Sequence, residues 1–124
     1  MNTRQKGDFS ELLVLTELAS MGLRTAIPYG NSQGFDILVL GRNGWASIQV
    51  KTAHRRGARG GRIYVDTIRG TVLNKRRGYE AGSFDLMVAV LPLERRFWVI
   101  PFAEMSGRRC MTMGDERAAG WDLI

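Results

Sequence analysis

The sequence predicts an α/β fold in which a mixed β-sheet with a central hairpin is flanked by helices. Three observations carry this prediction. An apolar face of helical period runs through Phe9–Met21, two strand-like runs flank the turn Gly41-Arg42-Asn43-Gly44, and further short apolar runs recur as far as Phe102. The chain has 124 residues, which fits a single domain spanning 1–124. It is 44% hydrophobic and 24% charged. That balance excludes a disordered segment, and the longest apolar runs are too short to span a bilayer.

Phe9, Leu12, Leu13, Leu15, Leu18 and Ala19 form the apolar face of the first helix. Asp8 or Ser10 is placed to cap its start, and Gly22 to stop it. Arg24–Pro28 is extended, and Tyr29–Gly34 is a turn-rich loop. Phe35–Leu40 and Trp45–Thr52 are the hairpin strands, with Asn43-Gly44 as the strongest turn signal between them. His54–Gly61 is a pliable loop rich in Gly and Arg, Arg62–Thr67 a strand, and Val72–Glu80 a short helix or turn. Phe84–Leu91 and Phe97–Phe102 are two more strands joined by a Pro-Leu-Glu-Arg turn. A short helix is expected around Glu116–Ala119. Trp45, Phe84, Phe97 and Trp98 are expected in the core or on a sheet face.

The charge is unevenly placed. The net charge is +6, yet nine basic residues lie between Lys51 and Arg77 with Asp66 as the one acid, so this segment carries +8 and the rest −2. Such a concentration on a near-neutral body points to a polyanion. No apolar helical stripe accompanies it, which argues against a membrane surface. His54, Arg55, Arg56, Arg59 and Arg62 form one group and Lys75, Arg76 and Arg77 a second, both suited to gripping the phosphates of DNA. Cys110 is the single cysteine, so an intrachain disulfide is excluded and a reducing compartment is expected. The polar start, Met1–Asp8, holds no signal-peptide core. Together these predict a cytoplasmic, nucleoid-associated protein of a bacterial, archaeal or phage genome.

The chemistry concentrates on the hairpin. Gln49 and Lys51 are two residues apart on one strand, so their side chains share a face, while Ile48 and Val50 alternate toward the core. An antiparallel hairpin turning at Gly41–Gly44 brings Asp36 back beside them at one edge of the sheet. Glu11, expected in the first turn of the N-terminal helix, adds a second carboxylate against the same edge. Carboxylate and amide oxygens are hard donors suited to Mg²⁺, with Mn²⁺ as a substitute. An ammonium such as that of Lys51 can orient an attacking water or neutralise a phosphorane-like transition state. The set suits hydrolysis of a phosphodiester.

These residues at this spacing resemble the PD-(D/E)XK nuclease superfamily. The pieces are Gly7-Asp8-x-x-Glu11, Gly34-Phe35-Asp36 and Gln49-Val50-Lys51. The likeness is greatest to group I intron-associated, homing-type endonucleases. Their Lys-Gly-Asp-x-x-Glu start, Pro-Tyr-Gly loop and Gln-Val-Lys strand stand here as Lys6–Glu11, Pro28–Gly30 and Gln49–Lys51. Archaeal Holliday-junction resolvases are similar more distantly. The resemblance covers roughly residues 5–102, the basic insert least. It implies a restriction-endonuclease-like core, and Glu11, Asp36, Gln49 and Lys51 as catalytic or metal-binding positions. It also implies Mg²⁺ at Asp36, Gln49 and Glu11, DNA as the substrate, and a homodimer or homotetramer, since one such site cuts one strand. Two departures stand out. Phe35 replaces the motif's proline, and Gln49 replaces its usual acid, which removes a negative charge from the metal site.

Three functions compete at this level. The first is a metal-dependent endonuclease acting on double-stranded or branched DNA, Holliday junctions included. The second is a catalytically inactive nuclease-fold DNA-binding module, with Gln49 as its sign. The third is a structural or RNA-binding protein whose hairpin matches by accident. His54 can serve as an acid or base or as a phosphate contact. Asn31, Ser32 and Gln33 can touch substrate or simply form the turn. Asp85 can be a further ligand or cap the start of its strand.

Overall fold

A computed structural model describes residues 1–30, 34–57, 61–69, 77–114 and 120–124. The first helix, α1 (Thr3–Ser20), starts well before the apolar period does. Asn2 caps it. The Asn2 side-chain oxygen accepts the Gln5 N–H at 2.9 Å, and the Gln5 side chain accepts the Asn2 N–H at 2.9 Å. This reciprocal box satisfies two helix-end donors. The first two turns are polar, so periodicity alone could not find them. Asp8 and Ser10 therefore lie inside the helix, and Glu11 lies beyond its first turn, contrary to expectation. At the other end Gly22 takes φ 77°, its N–H reaches the Ala19 carbonyl, and the Leu23 N–H reaches that of Leu18. This is a Schellman closure, which needs a residue tolerant of the left-handed region.

Five strands form the main sheet: β1 (Arg24–Ala26), β2 (Ile37–Gly41), β3 (Gly44–Thr52), β8 (Leu86–Leu91) and β9 (Arg96–Pro101). They lie side by side in the order β1-β2-β3-β8-β9. β2 and β3 form the expected hairpin, with Ile37 opposite Ile48 and Gly41 opposite Gly44. Gly44 takes φ 103°, the one conformation in this turn that favours glycine. β3 pairs with β8 in parallel, and β8 with β9 antiparallel. The sheet is mixed, as predicted. Its β3 strand is interior, so the predicted site lies at the ends of strands and not along a lateral edge.

A second sheet is built from β4 (His54–Arg55), β5 (Ile63–Asp66) and β10 (Cys110–Met113), in the order β10-β5-β4. His54 and Arg55 are thus strand residues, where a loop was expected. A third pair joins β6 (Ile68–Arg69) to β7 (Arg77–Gly78), so Arg77 starts a strand and not a helix. The rest of the expected Val72–Glu80 helix as far as Arg76, and all of Glu116–Ala119, fall outside the described residues. A short helix α2 (Phe102–Met105) follows β9, and Cys110 is exposed.

All six residues of β8 are buried, because both faces of the sheet are covered. On one face Val88 and Val90 pack with Ile48, Val50, Val14 and Leu18, under α1. On the other, Met87 and Ala89 pack with Trp98, Ile63, Val65 and Met113, under the small sheet. A doubly covered strand reads as a continuous apolar run, which is why Leu86–Leu91 lacks alternation. Phe84, Phe97 and Trp98 are buried as expected, whereas Trp45 is exposed on the sheet face. No helix among the described residues is long and apolar enough to cross a membrane.

Asp85 joins β3 to β8. Its Oδ2 accepts the Ser47 N–H at 2.8 Å and the Ser47 hydroxyl at 3.2 Å, while its own N–H donates to Ser47. These bonds assign it the strand-capping role. Asp85→Ala is expected to lower unfolding free energy by about 1–2 kcal/mol in urea titration, while a Mn²⁺-induced rise in Tm persists. Loss of the Mn²⁺ response would make it a ligand.

Candidate active site

Asp36 immediately precedes β2, and two backbone contacts fix it. Its N–H donates to the Ile48 carbonyl at 2.8 Å, and its Oδ2 accepts the Val50 N–H at 2.8 Å. The residue is therefore tied on both sides of Gln49. The Gln49 Nε2 donates weakly to the Val50 carbonyl at 3.4 Å, which engages the amide's donor end rather than its oxygen. Lys51 lies one step further along β3, its Nζ 5.4 Å from the centroid of the Tyr79 ring. Tyr79 meets Phe84 edge-on at 5.0 Å, and Phe84 meets Phe102 likewise. Lys51 thus stands in front of an aromatic stack, and Tyr79 is a neighbour that no sequence motif pointed to.

α1 supplies the fourth residue. Ser10 is fully buried and shares a 2.7 Å hydrogen bond with the Thr52 hydroxyl at the end of β3. This bond holds the helix to the strand one residue from both Glu11 and Lys51. The sequence suggests Ser10 as a cap; its pairing with Thr52 spans forty-two positions and leaves no local signal.

The carboxylates are held at an electrostatic cost. Burial pushes the Glu11 carboxyl up to about 7, with the charges of Asp36 and then Asp8 adding to the effect. Burial also raises Asp36, against the opposing influence of the Val50 N–H and the Lys51 charge. Two acids that resist ionisation side by side form an environment that a cation relieves. Among the described residues no three His, Cys, Asp or Glu side chains gather as a metal-ligand set. The donors present are two carboxylates and one amide. That fits Mg²⁺, which takes one or two carboxylates and fills its remaining positions with waters and phosphate oxygens.

The basic residues separate by position. Arg55 forms a two-pronged ion pair with Glu94, at 2.6 and 2.7 Å, and also donates to the Gly61 carbonyl. The Arg55 guanidinium holds the Glu94 carboxyl below the usual range. This pairing competes with the phosphate role expected of Arg55. His54, Arg56 and Arg62 are exposed. Arg59, Lys75 and Arg76, with Asn31, Ser32 and Gln33, lie outside the described residues, and the Arg77 side chain is not described.

Residues 1–114 match the PD-(D/E)XK endonuclease family. The chain belongs to that family. The match extends the motif resemblance across nearly the whole chain, and nucleases of this family generally use divalent metal ions. Among solved structures, the chain is similar to a bacterial homing endonuclease, I-Ssp6803I, with a TM-score of 0.84 and 21% identity. The alignment covers 99% of this chain and 93% of that one, and the predicted fold class holds. A search of curated proteins finds no matching relative.

The raised Glu11 pKa gives a signed prediction for this PD-(D/E)XK chain without metal. A carboxyl that is easier to protonate when folded adds stability in full below its unfolded value near 4.5, and loses it as pH rises through about 7. Wild-type stability should therefore fall across that window. Glu11→Gln should flatten the fall and be more stable by about 1 kcal/mol at pH 8, after allowance for solvent screening. Thermal melts at pH 4.5 and 8 in EDTA check this, and an unchanged pH slope in the variant would remove Glu11 from the cluster.

Proposed function

We propose that residues 1–124 act as a single-domain, Mg²⁺-dependent endonuclease that hydrolyses phosphodiester bonds in double-stranded or branched DNA. One observation carries the reading. Two carboxylates disfavoured as anions stand with Gln49 and Lys51 at the end of the β2–β3 hairpin. Family membership supports DNA as the substrate.

Asp36, Glu11 and the Gln49 oxygen would hold Mg²⁺. When bound, the ion supplies charge neutralisation at a phosphate oxygen and lowers the pKa of water. Asp36 is oriented by the Val50 N–H through Oδ2, and its carboxylate would be held in place to receive the ion. The Lys51 charge lowers the Asp36 pKa, which supports a role for its ammonium in orienting the attacking water and neutralising charge developing on phosphorus. With Gln49 for the usual acid, the donor set carries one negative charge fewer, so millimolar Mg²⁺, or Mn²⁺ in its place, is expected to be needed. His54, Arg56 and Arg62 are the described phosphate contacts, with Arg59, Lys75, Arg76 and Arg77 as further ones from the sequence. One site cuts one strand, so a homodimer or homotetramer would serve for duplex cleavage.

The test is cleavage of supercoiled plasmid and of a four-way junction, by wild type and Lys51→Ala. Metal-dependent cutting is expected, with loss of about 100-fold or more in the variant and DNA binding retained. The preferred substrate separates duplex from junction cutting. Binding without cutting by wild type, on both substrates and with either ion, would favour an inactive DNA-binding module.

A further inference from the structure

The basic segment is not a uniform cloud of charge, because the small sheet sorts it by strand alternation. In the β4–β5 ladder His54 lies opposite Tyr64, and Arg55 opposite Ile63. The next pair, Arg56 and Arg62, is joined by the Arg56 N–H donating to the Arg62 carbonyl at 2.9 Å. Side chains two apart on a strand share a face. Ile63 and Val65 are buried against the main sheet, so their face, which Arg55 shares, is the inner one. Arg55 accordingly reaches Glu94 in the turn between β8 and β9. His54, Arg56, Arg62, Tyr64 and the exposed Asp66 form the outer face.

That face is organised around Tyr64. The Arg56 guanidinium carbon lies 4.9 Å from the Tyr64 ring centroid, and the His54 ring lies 5.7 Å away, tilted by 39°. A guanidinium stacked on an aromatic ring loses rotamer freedom while its N–H edge stays in solvent. β4 follows β3 directly, so His54 is three residues beyond Lys51, about 10 Å of strand. Arg55 and Arg96 both pair with Glu94, away from this face.

We infer that the outer face of the small sheet is the DNA-backbone surface of this endonuclease. Arg56 and Arg62 contact phosphates there, Tyr64 is the positioning residue that holds Arg56 in place, and the Arg55–Glu94 pair is a structural brace outside the DNA contact. The inference rests on the proposed endonuclease activity for its substrate. Its occupant is the phosphate backbone of DNA, chosen by charge complementarity: the face presents Arg56 and Arg62 and belongs to a segment of +8 whose one acid is Asp66.

The experiment measures the affinity of the full chain for a DNA duplex against salt concentration, in Ca²⁺ to hold off cleavage, alongside Tm for every variant. Removing one phosphate-binding side chain should lower the slope of log K on log salt by about 1. Arg56→Gln and Arg62→Gln should each do so. Tyr64→Leu, which fills the site without a π face, should match Arg56→Gln, and Tyr64→Phe should restore the wild-type slope. Arg55→Gln should lower Tm and leave the slope unchanged. A full slope in a folded Tyr64→Leu, or a drop in Arg55→Gln equal to that of Arg56→Gln, overturns the inference. Wild type that shows no salt-dependent binding of DNA overturns the endonuclease reading, and this one with it.

Discussion

The register between β2 and β3 is the constraint on which the site depends. Asp36 is tied to β3 through the Ile48 carbonyl and the Val50 N–H, one on each side of Gln49. A slip of one residue would turn Gln49 and Lys51 onto the α1 face and expose Ile48 and Val50. Both of those residues are buried against Val14 and Leu18. The burial that stabilises the domain therefore also holds the polar set on its own face, and Ser10 bonded to Thr52 brings the remaining carboxylate to the same place.

Charge is organised in two zones. Acids are concentrated where strands end and burial is partial, so ionisation of Glu11 and Asp36 is opposed in the absence of a cation. Cations lie along the strand that continues from Lys51 and on its neighbours. In the proposed function, a polyanion drawn to the second zone would arrive next to the first, where a metal ion would favour the carboxylate forms. The proposed long-range attraction would thus reside in the cationic side chains, and the proposed metal-assisted chemistry in the carboxylates and Gln49.

Much of this was legible in the sequence, and what was not has physical reasons. Asn43-Gly44 and the alternation around Val50 are local signals, so the hairpin and the positions of Asp36, Gln49 and Lys51 could be found. Glu11 follows from a helix set against the sheet edge, but it lies beyond the first turn of that helix, because the turns before Phe9 carry no apolar period. The parallel pairing of β3 with β8 and the Cys110–Met113 strand are non-local, and nothing near those residues announces them. The Arg55–Glu94 pair has the same character: adjacent arginines look alike in sequence and differ only in which face of a strand they occupy.

The small sheet has a topological position of its own. β4, β5 and the β6–β7 pair occupy the crossover that carries the chain from Thr52 to Leu86, where a parallel connection more often uses a helix. The entropy of closing a connection grows only slowly with its length, by about 0.6 kcal/mol for each doubling. Insertions and deletions there can reshape the outward surface while the β3–β8 ladder keeps Gln49 opposite Met87 and Lys51 opposite Ala89. The spacing of Gln49 and Lys51 and the shape of the outward surface can therefore diverge at different rates under selection.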